Sequence, residues 1–199
     1  MAVNKSPEQR REEIFEAALR SFNKSGYYQT SIDQIATEAG LSKGGIYHHF
    51  KSKKDLVIQL FRNRVNSYFD YVTAEFGSQP DAAQSLYALV KKSGEIFEAH
   101  EPILRFCLEF VSMSSREQDF REEVAAMYHH RVETIAALIR EGTKKGTFKK
   151  VDAEAVSRAL YFLSMGFFLS YFTGLLDFDP QVQHRHNMKT IMNGIINIE

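Results

Sequence analysis

Lys43, Gly44, Tyr47 and His48 stand close together in the chain, and Lys51, Lys53 and Lys54 follow directly. These are groups that bind polyanions. Lysine supplies charge, a tyrosine hydroxyl donates to a phosphate oxygen, and glycine lets the backbone approach a phosphate. Side chains on an exposed helix can also read base edges in the major groove. Such chemistry needs a scaffold that presents a short helix outward, and the flanking residues supply one.

Residues 30–56, TSIDQIATEAGLSKGGIYHHFKSKKDL, read as a helix-turn-helix followed by the basic start of another helix. The small Ala36 allows the two motif helices to cross closely. Gly40 suits the turn, which favours a residue tolerant of positive φ. Ile46 anchors the second helix beside Ile32, Ile35 and Leu41. Thr30 or Ser31 caps the first motif helix, Ser42 the second, and Ser52 the helix after it. Lys43, Gly44, Tyr47 and His48 then fall on the exposed side, while Ile46 and Phe50 turn inward at i and i+4. A helix start with lysines beside Ser52 is a natural phosphate site. A short second helix presented this way usually lies in the DNA major groove. The alternative is a generic helical hairpin with a solvated basic turn.

The stretch IDQIATEAGLSKGGIYHHFKSKKDL closely resembles the DNA-binding domain of tetracycline-repressor (TetR) type transcriptional regulators. The resemblance begins upstream, at RREEIFEAALRSFNKSGYYQTS, and covers roughly residues 8–60. It implies an all-α fold, with an N-terminal three-helix helix-turn-helix domain at 1–55 and a larger helical ligand-binding and dimerisation domain at 56–199. It also implies a dimeric, ligand-controlled DNA-binding protein that acts on an operator, typically as a repressor. By that likeness Thr30, Lys43, Gly44, Tyr47, His48 and Lys53 fall where the family touches DNA, and the caps Ser31 and Ser42 join them. Gly45 departs from the pattern, because many members carry a small side chain there. The helix is locally less favoured by about 1 kcal/mol relative to alanine.

The bulk numbers fit this reading. A chain of 199 residues with 44% hydrophobic content can build a proper core. Formal net charge is zero, yet nine Lys+Arg face six Asp+Glu in residues 1–54, a local +3. The remainder carries −3. The sign is the one a DNA-binding head needs. Cys107 is alone, so no intrachain disulfide and no cysteine zinc site form. It reads as a small buried hydrophobe, with redox sensing the alternative. The N-terminus lacks the apolar core of a signal peptide, which predicts a cytoplasmic protein. Ala159–Leu176 carries no charge and sits at the edge of a membrane span. Its Ser, Thr and Gly residues favour instead a helix with one face in its own core and another against a second subunit.

The rest of the chain reads as helices at 8–25, 52–76, 80–99, 102–113, 117–142, 152–174 and 180–197, with GTKKGTFKKVD as the main polar loop. Leu163, Phe167, Tyr171, Met188, Ile191 and Ile195 recur at helical spacing. Family likeness implies that the last two helices pair with their copies in a homodimer, and these residues are expected at that interface. Completing the monomer's own core is the alternative. Phe106, Phe110, Met113, Tyr128, Arg131, Phe162, Met165 and Leu169 are expected to line a pocket for an apolar or aromatic small molecule. Apolar stripes at this spacing are more often ordinary core, which is the alternative.

No cofactor or metal is expected. His48–His49 and His129–His130 are adjacent pairs whose members diverge by about 100° on a helix. None of the seven histidines gives the i, i+4 pair of a zinc helix. His129 with Glu133 reads better as a solvated ion pair. An enzyme is therefore not expected. A DNA binder that is constitutive, or controlled by a protein partner, stays open.

Overall fold

Local capping chemistry starts the architecture. In the computed structural model, which describes residues 5–77, 84–85, 97–174 and 177–196, Ser6 caps the first helix in a capping box with Gln9, with Pro7 next to it. Helix α1 (Pro7–Gln29) buries Ile14, Phe15, Ala17, Ala18, Leu19 and Phe22, and breaks at Gly26, whose φ is +78°. Ser31 caps α2 (Ile32–Glu38) in a second capping box with Gln34. Gly40 makes the turn at φ +65°, and the Leu41 amide donates to the Ala36 carbonyl at 2.8 Å. Ser42 caps α3 (Lys43–His49). The Ser52 hydroxyl accepts from the Asp55 amide at the start of α4 (Lys53–Gly77).

The remaining described helices are α5 (Glu101–Ser114), α6 (Gln118–Lys144), α7 (Ala153–Thr173) and α8 (Pro180–Ile195). Among the described residues there is no strand, only an isolated bridge between Phe148 and Ile196. The expected helix at 80–99 lies largely outside the described residues.

Contacts divide the chain into two units: residues 1–67 with 102–123, and residues 68–101 with 124–199. This differs from a division at 55/56, because the aromatic rings of α5 pack into the first unit. Phe61 and Phe110 stack at 3.8 Å, Phe22 and Phe106 at 6.0 Å, and Phe110 meets Phe120 at 4.9 Å. Each ring buried this way contributes a few kcal/mol, roughly 1.5–3.

The second unit is built separately. Ala136, Ile139, Phe148, Ala153, Met192 and Ile195 form one cluster, and Leu160 and Met188 another. Phe148 is 1% exposed although it lies in the lysine-rich loop. Asp152 caps α7 and Gly174 ends it at φ +63°. Ser157, buried, satisfies its hydroxyl on the Val132 carbonyl at 2.7 Å. Phe97 sits among the rings of Phe167, Phe168, Tyr171 and Phe172.

Candidate nucleic-acid interface

Helix α3 has one buried and one exposed side. Ile46 is fully buried on α3, and Phe50 just after it is buried against Phe15 at 5.4 Å. Arg11 reinforces that contact, with its guanidinium 4.7 Å from the Phe50 ring centroid and a bond to the His49 carbonyl at 3.1 Å. The seven-residue helix is therefore held from below. Lys43, Gly44, Tyr47 and His48 are exposed on its other side, as are the caps Ser31 and Ser42. Ser31, not Thr30, is the cap of α2.

Lys43 reaches back to Asp33 of α2 at 2.8 Å. That bond and the carboxylate charge push its pKa up. The pair is exposed, so it is easily exchanged for another anion. Burial, then the neighbouring His48 and Arg11, pushes the His49 imidazole down, which favours its neutral form. A Cβ at Gly44 would meet only the Ser42 hydroxyl at 3.8 Å, and one at Gly45 only Leu41 and Ser42 at ordinary contact distance.

Two expected DNA contacts sit otherwise. Thr30 is 2% exposed, and its hydroxyl donates to the Ser21 and Gly26 carbonyls. The Lys53 ammonium donates to the Tyr27 and Thr30 carbonyls, both at 2.8 Å, and lies 4.4 Å from the Tyr27 ring centroid. Burial pushes its pKa down. An ammonium has three N–H donors, so at most one is left for a phosphate. Lys54 is also engaged, by Glu117 at 2.9 Å and Asp119 at 3.1 Å, which push its pKa strongly up. The phosphate site expected at the start of α4 is accordingly thinner than the lysine count implies. The partners that engage these lysines lie far along the chain, beyond the reach of local pattern reading.

The expected ligand residues divide between the units. Phe106, Phe110 and Met113 are core of the first unit. Tyr128, Arg131, Phe162, Met165 and Leu169 belong to the second. Phe162 and Leu169 are 59% and 57% exposed. The expected dimer residues also divide. Met188 and Ile195 are buried in their own unit, because α8 turns that side toward Leu160, Ile139 and Phe148. Leu163, Phe167, Tyr171 and Ile191 are half-buried. The exposed stripe of α7 is instead Ala155, Ala159, Phe162, Gly166, Leu169 and Thr173. By length and composition α7 is apolar enough to cross a membrane.

Comparison with known proteins agrees with this geometry. The family model for bacterial regulatory proteins of the TetR family matches residues 14–60. The model for the C-terminal part of BetI-type transcriptional repressors matches residues 82–193. An HTH-type transcriptional repressor, KstR2 of Rhodococcus jostii, is 28% identical over 154 residues, covering 76% of this chain and 74% of the relative. A transcriptional regulator from Saccharomonospora viridis, solved with choline, superposes with a TM-score of 0.83 at 28% identity, covering 96% of this chain and all of the other. The Bacillus subtilis regulator FadR, solved with stearoyl-CoA, shares the fold at TM-score 0.78 and 18% identity, over 92% of this chain and 98% of that one. The capped helix-turn-helix and both matched segments lead to one conclusion: the chain belongs to the TetR family of transcriptional regulators, with a C-terminal domain of the BetI type.

Proposed function

We propose that this regulator is a repressor that binds a palindromic operator as a homodimer in the cytoplasm and is released by an apolar or aromatic small molecule. Residues 1–55 serve as the DNA-binding domain and 56–199 as the ligand-binding and dimerisation domain. The observation that carries the reading is α3, whose Lys43, Gly44, Tyr47 and His48 are exposed over a buried Ile46. In this reading Lys43 and His48 face base edges, while Ser31, Ser42, Gly44 and Tyr47 meet phosphates. Thr30 and Lys53 support that surface from beneath. The repressor sense is supported by the matched C-terminal model and by the R. jostii relative.

Dimerisation is assigned to the α7 stripe through Phe162 and Leu169, because a face of exposed rings and small residues is costly in water. Effector control is supported by the choline bound in the S. viridis relative. Helix α4 runs from Lys53 to Gly77, and each unit contains part of it. An effector that shifts one end changes the separation of the two recognition helices. Bivalent binding is lost when geometry forbids both half-sites together.

Selection on random duplex DNA tests the operator. Selected sites should be palindromes with half-sites about 34–36 Å apart, or a multiple of that. Sites without two-fold symmetry reject the dimeric operator. A thermal-shift screen of acyl-CoA thioesters, quaternary ammonium compounds and aromatic drugs tests the effector class. A hit should bind more weakly when operator is present, by the same factor with which it weakens operator binding. Equal affinities with and without operator reject release by that compound.

A further inference from the structure

The helix-turn-helix is entered through the turn Gly26–Thr30, which leads directly to the Ser31 cap of α2. Its second residue, Tyr27, has both backbone groups bound by side chains from other helices. The Tyr27 amide donates to Glu109 Oε1 of α5 at 2.5 Å. The Tyr27 carbonyl accepts from Lys53 Nζ at the start of α4, and the same ammonium takes the Thr30 carbonyl. An anion and a cation thus hold opposite ends of one residue's backbone. Gly26 makes room for this: a Cβ there would lie 3.1 Å from Glu109 Oε1.

Glu109 itself has little freedom. It is half-buried on α5, and the rings of Phe106 and Phe110 on either side stack on Phe22 and Phe61. Burial pushes its carboxyl up, against the opposing effect of the Tyr27 bond. A carboxylate is kept at such a place when its acceptor atom is needed there. Glu109 also lies inside the segment matched by the C-terminal repressor model, although its contact is to the turn that begins the DNA-binding motif.

We propose that Glu109 is a positioning residue for DNA recognition: through its bond to the Tyr27 amide, α5 fixes where the helix-turn-helix begins, with Lys53 as the opposing hold. The proposal rests on the DNA-binding reading above, and adds a route from the C-terminal domain to α2 that does not pass along α4. A displacement of α5 would reach the Gly26–Thr30 turn directly.

The test compares wild type, Glu109→Ala, Glu109→Gln and, as a control on the same helix, Leu104→Ala, which removes a buried side chain given no binding role, all in the full chain. Glu109→Met, with similar volume and no strong acceptor, replaces the alanine variant should that not fold. The readouts are exchange of the Tyr27 amide without DNA, affinity for the duplex selected by wild type, and Tm. Losing a hydrogen bond to a charged group should speed Tyr27 exchange and weaken operator binding about tenfold or more. Glu109→Gln keeps an oxygen acceptor and should stay within roughly threefold on both readouts. Leu104→Ala should lower Tm and leave operator affinity, measured well below Tm, unchanged. Wild-type operator affinity in Glu109→Ala overturns the proposal, as does a glutamine variant as weak as the alanine one. Unchanged Tyr27 exchange in Glu109→Ala overturns the contact itself, whatever the DNA result. If wild type selects no duplex at all, the DNA-binding reading fails, and the exchange comparison still decides whether Glu109 holds the turn.

Discussion

Helices α1–α3 and helix α7 treat apolar residues in opposite ways. In α1–α3 the apolar face is covered: Ile14, Ala17, Ala18, Ile35 and Ile46 are all fully buried. In α7 only Ala153, Ser157 and Leu160 are buried, while Phe162 and Leu169 stand in solvent. The first region completes itself within one chain, and the second leaves its energy to be gained elsewhere. Buried rings in α1–α3 therefore act on folding, and in the proposed dimer the exposed rings on α7 act on assembly.

Five substitutions or conditions press on that contrast. The largest effect is expected from Phe162→Glu with Leu169→Glu, which should turn the dimer into a monomer while leaving the monomer's Tm nearly unchanged. Burying an unpaired carboxylate in an apolar interface costs several kcal/mol, roughly 2–7 even for a neutral polar group. Light scattering measures it, and an intact dimer would move the interface off this stripe. Phe22→Ala should do the opposite, lowering folding stability by about 3–5 kcal/mol in urea without changing association.

An acid titration probes the buried flank of the second unit. His184 is buried and stacks on Phe167 at 4.4 Å, with Nδ1 unpartnered. Burial, then Arg185, pushes its pKa down to about 4 from the ordinary 6.5. Between those values the unfolded chain binds the proton and the folded chain does not. Stability from this group is complete above about pH 6.5 and is lost as pH falls toward 4, by on the order of 3 kcal/mol at most. Wild type minus His184→Phe, in urea unfolding at pH 7.5 and pH 5, isolates the effect. A difference that does not depend on pH would refute it.

Smaller changes sharpen the picture of the motif. Ser31→Ala removes a cap and should cost about 1 kcal/mol of stability. Gly45→Ala meets only ordinary contacts and should stabilise by about 0.5–1 kcal/mol. A destabilised Gly45→Ala protein would mean that α3 needs glycine for its own conformation. These two shifts are best read as Tm differences against wild type.

The same contrast explains what the sequence made legible. In the motif each residue type has a single local role. Ser31 and Ser42 cap, Gly40 turns, and Ile46 anchors. Those roles depend on neighbours a few residues away, so spacing identifies them, except that it leaves Thr30 and Ser31 both open as the cap of α2. In α7 both sides are apolar, and adjacent positions such as Phe162 and Leu163 lie about 100° apart. Periodicity finds the stripe there but not its outward flank, which is why it assigns Phe162 and Leu169 to a pocket. It places Met188 and Ile195 at the dimer interface because nothing local announces that Met188 packs with Leu160, or that Phe148, in a run of lysines, joins the cluster around Ile195. Glu109 and Lys53 are opaque for another reason. Their partners are backbone groups of a distant turn, and a backbone amide leaves no mark in a sequence.

The membership of α5 in the first unit has a consequence for how such chains recombine. A splice that joins residues 1–67 to a foreign partner strips Phe22 and Phe61 of the rings of Phe106 and Phe110. It also leaves the Tyr27 amide without its carboxylate. The inheritable cassette is therefore discontinuous in sequence. A viable chimera must bring α5 and the first residues of α6 from the same parent as the recognition helix, or rebuild that surface around the newcomer.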